Sequence, residues 1–155
     1  LVSLIENPLI AGFLYRKIQE AESVGIKIQY NVMFGKNNSS YSEYDIIEML
    51  WILLDNAIEE LQDEVYLYKN IWVDIIESKK EINMSVSNVI KNYSEDLIQK
   101  MFIKGYSNKG NGRGIGLSKL KRMVKAKQGE IIVSNEKKDN ENYIRFHIML
   151  PQDKG

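Results

Sequence analysis

The sequence contains no cysteine, which excludes disulfide bonds and thiolate metal sites. It also has no excess of charge, because 21 Lys and Arg residues balance 21 Asp and Glu residues. This balance argues against bulk electrostatic binding to nucleic acid or anionic lipid, although a local basic site remains compatible with it. No apolar run approaches the roughly 20 residues that a membrane span needs, and no signal peptide is visible. We therefore expect a domain without direct membrane or nucleic-acid contact.

The length of 155 residues is that of one domain with a single sizeable core. The chain begins at Leu1 rather than with methionine, so we expect a C-terminal fragment of a longer protein. We treat 1–155 as one domain in which residues 1–25 form a leading helix and the following strand begins at Ile26.

Hydrophobic periodicity predicts an alternation of helices and hairpins. Helices are predicted at 4–22, 42–61, 94–101 and 114–127, and strands at 26–33, 71–77, 82–88, 130–134 and 142–150. Ser42 is predicted to cap the second helix, and Gly129 to end the last one. Because the spacing of βαβ units is not recognisable, we expect an α+β two-layer sandwich. Its sheet would be mixed but mostly antiparallel, with helices covering one face.

Glycine is concentrated in one segment, since five of the ten glycines lie between Gly105 and Gly116. Such a segment leaves backbone N–H groups free to converge on an anion, and the helix that follows adds its positive N-terminal end. Lys109 and Arg113 supply full charges. A solvated flexible linker is the alternative, but an apolar helix begins immediately at Ile115. We therefore predict a phosphate-binding loop.

Two other glycine-rich phosphate motifs do not match this segment. A Walker A loop requires Gly-Lys followed by Ser or Thr, whereas Lys109 precedes Gly110 here. The dinucleotide fingerprint requires Gly-x-Gly-x-x-Gly after a strand, whereas this segment has single residues between Gly112, Gly114 and Gly116.

Two asparagines complete the predicted site. Asn56 follows Asp55 on the apolar second helix, and its amide oxygen is a hard ligand that suits Mg²⁺. The alternative is that both residues lie on an exposed stripe of that helix. Asn88 ends a predicted strand, where it is either a turn residue or a partner for the exocyclic amine of adenine.

In this order and spacing, the elements resemble the GHKL (Bergerat-fold) family of ATP-binding domains, which gyrase, Hsp90, MutL and sensor histidine kinases share. The segment 53–58 (LLDNAI) resembles the N box, and 112–117 (GRGIGL) resembles the G2 box. The segment 104–109 resembles the ATP lid, and Phe102 stands where the F box would lie. The leading helix, with Asn7-Pro8-Leu9, Lys17 and Ala21, is similar to that of AgrC-like peptide-pheromone (quorum-sensing) kinases.

The resemblance implies a histidine kinase catalytic domain that binds ATP with magnesium. Asn56 would hold Mg²⁺, and Asn88 would contact adenine. The ATP lid is expected over residues 102–113. The phosphate-binding residues would come from the lid and the G2 box, namely Lys104, Gly105, Ser107, Lys109, Gly110, Gly112, Arg113, Gly114, Ile115, Gly116 and Leu117.

Three positions depart from the family pattern. The Asp-x-Gly-x-Gly motif of the G1 box is absent, and Asn88 stands at its first position. Ile52 occupies the place of the Glu of hydrolysing members and the Asn of most kinases, and an Ile cannot activate water. Glu59 stands where many kinases carry Lys or Arg.

The implied reaction is transfer of the ATP γ-phosphoryl group to a histidine on a separate dimerisation domain. His147 is the single histidine and lies in the last strand pattern, so we expect a sheet residue rather than the acceptor. The fragment should thus bind ATP without autophosphorylating. The resemblance also implies that the domain is cytoplasmic and that its partners are the dimerisation domain and a response regulator, within a membrane-bound homodimer. A non-catalytic nucleotide-binding module is the alternative, and a gyrase- or Hsp90-like ATPase ranks third.

Overall fold

The computed structural model describes residues 5–35, 40–102 and 113–152, with the backbone alone for 113–115. Every predicted helix and strand is present in these ranges, with ends that differ by a few residues. The helices are α1 (Pro8–Glu22), α2 (Glu43–Leu61), α3 (Glu95–Met101) and α4 (Arg113–Ala126). The strands are β1 (Lys27–Met33), β2 (Asn70–Glu77), β3 (Glu81–Val89), β4 (Glu130–Lys138) and β5 (Glu141–Pro151).

The five strands form one sheet in the order β1-β2-β3-β5-β4. Strands β1 and β2 are parallel, and the other three pairs are antiparallel, which confirms a mixed, mostly antiparallel sheet. The expectation that no βαβ unit is present was wrong. A parallel pair needs a crossover, and the long segment between Met33 and Asn70 contains α2, which provides it.

The core lies between the sheet and α1, α2 and α4. Alternate residues of each strand face the helices, as Ile71, Val73 and Ile75 do on β2. Helix α2 contributes eight buried residues, namely Ile46, Met49, Leu50, Leu53, Leu54, Ala57, Ile58 and Leu61. Burying a large aliphatic side chain stabilises a fold by about 1.5–3 kcal/mol, so α2 is strongly held against the sheet. The side chains of α2 that face away from the core, including those of Asp55 and Asn56, are therefore held in place.

Local sequence explains where the helices begin. The Asn7 side chain accepts hydrogen bonds from the backbone N–H groups of Leu9 and Ile10, both at 3.1 Å, and Pro8 follows in the first turn. Ser42 caps α2 as predicted, because its hydroxyl accepts from the Tyr44 N–H at 3.2 Å. Among the described residues, no helix is long and apolar enough to cross a bilayer.

Gly129 does not end α4 in the predicted manner. The left-handed conformation lies at Gln128, with φ of 60°. Gly129 is needed for a different reason, because a β-carbon there would lie 2.4 Å from the carbonyl oxygen of Met149. The final hairpin was also predicted with too long a loop, since its strands meet at a two-residue turn in which Asp139 and Asn140 have positive φ.

Candidate functional site

The stripe of α2 that carries Asn56 opens into a cleft of about 380 Å³. We call it the Asn56 cleft. Helix α2 supplies one wall through Glu48, Trp51, Ile52, Asp55, Asn56 and Glu59. The first turns of α4 supply the other wall through Gly116, Leu117 and Lys119. Three of the residues predicted for the site, Asn56, Gly116 and Leu117, therefore lie together.

Gly116 allows the two helices to approach at this cleft. A β-carbon placed on Gly116 would lie 3.5 Å from Cγ2 of Ile52, which is ordinary van der Waals contact. Leu117 is buried in the core beside it. Because α4 begins at Arg113, the end of the glycine-rich segment forms the first turn of this helix. The first turns of α4 therefore lie at the cleft that Asn56 lines, and the N-terminal end of a helix stabilises an anion.

Two of the carboxylates that line the cleft are paired with lysines from neighbouring helices. Asp55 Oδ1 lies 2.6 Å from the Nζ of Lys17 on α1. Glu48 Oε2 lies 2.6 Å from the Nζ of Lys119 on α4. The Asp55 side chain is 43% exposed, as the alternative of an exposed stripe expects, but its carboxylate is paired with Lys17. The pairs reduce the negative charge that the cleft presents.

Lys17 and Lys119 were not predicted as site residues. Lys17 had a recognisable signal, because it falls on the same helical face as Ile10, Leu14 and Ala21, all of which are buried. A lysine on a buried stripe needs an anionic partner. Its partner, Asp55, is 38 residues away in the sequence on another helix, so a local sequence pattern cannot predict the pair.

Asn88 lies inside β3 and is 1% exposed, so the alternative of a turn residue was wrong. Its pairing with Ile71 and Ile144 puts it on the helix-facing side of the sheet. Its Nδ2 donates to the Val89 carbonyl at 2.8 Å, and no hydrogen bond from the described residues reaches its Oδ1. Asn88 does not line the Asn56 cleft.

A second cleft has a volume of about 250 Å³, and we call it the Ile90 cleft. It is lined by Glu60, Tyr66, Ile90, Lys91, Leu97 and Met101, among others. Glu60 is one helical turn beyond Asn56, and Ile90 is two residues beyond Asn88. The lining of this cleft is therefore close in sequence to both asparagines, and it combines apolar side chains with charged ones.

Tyr66 organises the wall of the Ile90 cleft. Its hydroxyl donates to Oε2 of Glu60 at 2.6 Å and accepts from the Lys91 N–H at 3.4 Å. Burial raises the pKa of Tyr66 well above its usual value, and the hydrogen bond to Glu60 raises it further. The phenol is therefore neutral at physiological pH, and it joins the end of α2 to the segment after β3.

Much of the predicted lid lies outside the described residues. This applies to Lys104, Gly105, Ser107, Lys109, Gly110 and Gly112. For Arg113, Gly114 and Ile115 the structure describes the helical backbone only. Phe102, at the end of α3, packs with its ring centroid 6.3 Å from that of Phe146, and Lys121 Nζ lies 5.9 Å from the Phe102 centroid.

His147 lies on β5 as predicted, on the sheet face that points away from the helices, where it pairs with Ser85 of β3. Its Nε2 lies 2.7 Å from Oδ1 of Asn83. Burial lowers the pKa of His147, as does the charge of Arg145, while Glu81 opposes the shift. The described residues contain no cluster of three or more His, Asp or Glu side chains that could hold a metal ion. A magnesium site here would rely on Asn56, water and a ligand's own oxygens.

The sequence matches a known domain family over most of its length. A family model described as a GHKL domain matches residues 42–151, which include α2, the glycine-rich segment and the last four strands. The match extends from the helix that carries Asn56 to the end of β5.

Two similar proteins are bacterial sensor kinases. The chain is 27% identical over 154 residues to the probable C4-dicarboxylate sensor kinase of Halalkalibacterium halodurans, covering 97% of this chain. It is 29% identical over 162 residues to the sensor histidine kinase DcuS of Escherichia coli K12, covering 99% of this chain. The chain spans 28% of the length of each of these relatives.

Solved structures share the fold. Full-length ShkA in complex with AMPPNP superposes with a TM-score of 0.68 at 18% identity, over 93% of this chain and 30% of that one. The histidine kinase ThkA in complex with the response regulator protein TrrA gives a TM-score of 0.68 at 17% identity, over 94% of this chain and 40% of that one. These likenesses confirm the predicted α+β fold.

Proposed function

The chain belongs to the GHKL domain family, and we propose that it is the ATP-binding catalytic domain of a two-component sensor histidine kinase. It would donate the γ-phosphoryl group of ATP to a histidine on a separate dimerisation domain. One observation carries this proposal: Asn56 of α2 and the glycine-rich start of α4 line the same cleft. The names of the two relatives, both sensor kinases, support it.

Asn56 is proposed to hold the magnesium ion of Mg·ATP. Its half-buried amide lines the cleft, and the core packing of α2 keeps it there. An amide oxygen beside water and phosphate oxygens is a suitable ligand set for Mg²⁺. When bound, this ion would neutralise phosphate charge. The protein's own contribution is a rigid donor whose position does not depend on the ligand.

Asn88 is proposed to contact the adenine base. Its amide faces the helical layer, and its Oδ1 receives no hydrogen bond from the described residues, so it can accept one from an exocyclic amine. The Ile90 cleft offers apolar side chains for a purine, including Leu97 and Met101. Asn88 is 1% exposed, so base binding would require a local opening around its side chain.

The phosphates are proposed to bind at the start of α4 and along the lid. Gly116 and Leu117 line the cleft, and the helical backbone of Arg113, Gly114 and Ile115 supplies N–H groups at the α4 N-terminus. The lid residues are Lys104, Gly105, Ser107, Lys109, Gly110 and Gly112, which lie outside the described residues, and their role stays a prediction from sequence.

Transfer is favoured over hydrolysis because of Ile52. At the place where hydrolysing members carry Glu, this side chain packs in contact with Gly116 and offers no base for water. In phosphoryl transfer the protein mainly orients groups and neutralises charge, which the cleft can do without a base. His147 lies on the opposite sheet face, so the acceptor would belong to another domain.

The partners of the intact protein are proposed from its relatives. The sensor kinase names support a larger protein in which this domain is cytoplasmic and the whole is a membrane-bound homodimer. The complex of ThkA with TrrA supports a response regulator as a further partner. The AgrC-like pheromone subgroup stays a prediction, because neither relative's name refers to a pheromone.

The decisive test combines this domain with a separately expressed dimerisation domain that carries the acceptor histidine. With radiolabelled ATP and Mg²⁺, we expect acid-labile phosphate on that histidine and none on this chain. Binding of ATP without transfer would instead support a non-catalytic nucleotide-binding module. Steady phosphate release by the isolated domain would support a gyrase- or Hsp90-like ATPase.

A further inference from the structure

Lys17 places a positive charge inside the interface between α1 and α2. The residue is 8% exposed, and its Nζ lies 2.6 Å from Oδ1 of Asp55 and 3.3 Å from Oε2 of Glu20. The ammonium also lies 5.3 Å from the ring centroid of Trp51. Burying an ammonium is costly unless close anionic partners compensate, so the Lys17 side chain is held in one place.

Asp55 is fixed by two partners at once. Lys17 contacts Oδ1, and the Nε1–H of Trp51 donates to Oδ2 at 2.5 Å. Both carboxylate oxygens are thereby engaged by groups at the α1–α2 interface. Asp55 immediately precedes Asn56 and itself lines the Asn56 cleft.

An unpaired carboxylate at this position would oppose an anionic ligand. A triphosphate in the Asn56 cleft would lie close to Asp55, in a partly buried place where charges are weakly screened. We propose that Lys17 is a positioning residue of the nucleotide site, which acts through Asp55 by neutralising its carboxylate and holding it away from the phosphates. This inference rests on the proposed nucleotide-binding function.

A simple structural clamp between α1 and α2 would use the same contacts, so the test must separate charge from packing. The chain contains a matched control in Lys127 of the segment after α4. Its Nζ lies 2.9 Å from Oδ2 of Asp45 on α2 and 5.7 Å from the ring centroid of Tyr41. Like Lys17, this lysine contacts a carboxylate of α2 and an aromatic ring, but its partner Asp45 does not line the Asn56 cleft.

The experiment measures the binding of AMPPNP and of adenosine to the purified domain by calorimetry, with Mg²⁺ present. The variants are Lys17→Met, Asp55→Asn, the double variant and Lys127→Met. We expect Lys17→Met to weaken AMPPNP binding about three- to fivefold, the upper part of the range for one partly screened charge interaction. Adenosine has no phosphate, so its affinity should change less than twofold. The loss for AMPPNP should shrink at high salt.

The double variant decides between charge and packing. If charge is the cause, adding Asp55→Asn to Lys17→Met restores AMPPNP affinity to within about twofold of wild type, since the repelling carboxylate is gone. An equally weak double variant, or an equal loss for adenosine, would overturn the inference in favour of packing. Lys127→Met should bind AMPPNP as wild type does, and an equal loss there would also overturn it.

Asp55→Asn alone keeps the test valid if Lys17→Met does not fold. It removes the negative charge and leaves Lys17 beside the cleft, so AMPPNP should bind more tightly than to wild type. Weaker binding would overturn the inference, because the carboxylate itself would then be required. Failure of the wild-type domain to bind AMPPNP would overturn the proposed function, whereas normal wild-type binding with an unaffected Lys17→Met variant would overturn this inference alone.

Discussion

Gly116 on α4 lies against Ile52 on α2, and a β-carbon on the glycine would be 3.5 Å from Cγ2 of the isoleucine. This contact brings the start of α4 to the helix that carries Asn56. It also assigns Ile52 a packing role at a position where a water-activating Glu would otherwise be expected. The distance between the two helices at this point determines the width of the Asn56 cleft.

The contact between Gly116 and Ile52 predicts a limit on the size of the side chain at position 116. Gly116→Ala adds one methyl group at ordinary contact distance, so the fold should keep its Tm within a few degrees. Gly116→Leu must push α4 away from α2 or fill the cleft, and AMPPNP affinity should fall at least about fivefold, since overpacking of this kind costs about 1–3 kcal/mol. Thermal melts and calorimetry on the two variants provide the check. Equal nucleotide affinity for both would contradict the close approach of these helices.

Asn56→Ala should lower the affinity for Mg·ATP roughly tenfold, because one of few protein ligands to the ion is lost. The affinity for nucleotide measured in EDTA should change little. Calorimetric titration of AMPPNP with and without Mg²⁺ separates the two effects. Asn31→Ala, at an exposed position of β1, serves as the control and should bind as wild type does. An unchanged Mg²⁺-dependent affinity in Asn56→Ala would refute the assignment.

Gly114→Val should abolish measurable nucleotide binding, since a β-branched side chain restricts the backbone and obstructs the approach of phosphates to the first turn of α4. Binding can be followed by NMR of the amides between Gly105 and Leu117 during AMPPNP titration. Gly12→Ala provides the control, because no atom lies within 4 Å of the added β-carbon. Wild-type affinity in Gly114→Val would disprove phosphate binding at this segment.

Gly129→Ala should destabilise the fold without acting on the nucleotide site. The added β-carbon would lie 2.4 Å from the Met149 carbonyl oxygen and 2.8 Å from Cδ2 of Leu150, so β5 or the end of α4 must move. We expect a loss of about 1–3 kcal/mol in the free energy of unfolding, measured by urea denaturation. Gly12→Ala, in the middle of α1, should instead stabilise by about 0.5–1 kcal/mol. The prediction fails if both variants unfold at the same urea concentration.

We predict that the folded protein loses stability in mild acid because of His147. Burial lowers its pKa in the folded state below the unfolded value of 6.5, so the unfolded chain takes up this proton first. The contribution of His147 is therefore fully present above pH 6.5 and is lost as the pH falls from there through the lower folded-state pKa. His147→Gln should reduce the drop in Tm between pH 7 and pH 5. A drop identical to that of wild type would show that His147 does not contribute.

Structural features that depend only on residues close together in the sequence were predictable from it. Ser42 begins α2 because its side chain caps the helix locally, and alternating apolar residues identified β2 and β3. Asn56 was predicted as a ligand-binding residue because a polar side chain among apolar ones on a helix is energetically costly unless something binds it. The charge that Lys17 provides to Asp55 was missed, because the two residues meet only through the packing of α1 on α2.

By itself, the sequence determined the helices, the strands, the Ser42 cap of α2 and the family to which the chain belongs, since these follow from residue spacing and local hydrogen bonding. Only the tertiary structure decided that β1 pairs in parallel with β2, that Asn88 lies buried within β3 rather than in a turn, and that Gly116 meets Ile52. Each of these depends on which distant faces pack together to bury apolar area. This packing depends on the whole chain, because no local sequence pattern contains both of the residues that come into contact.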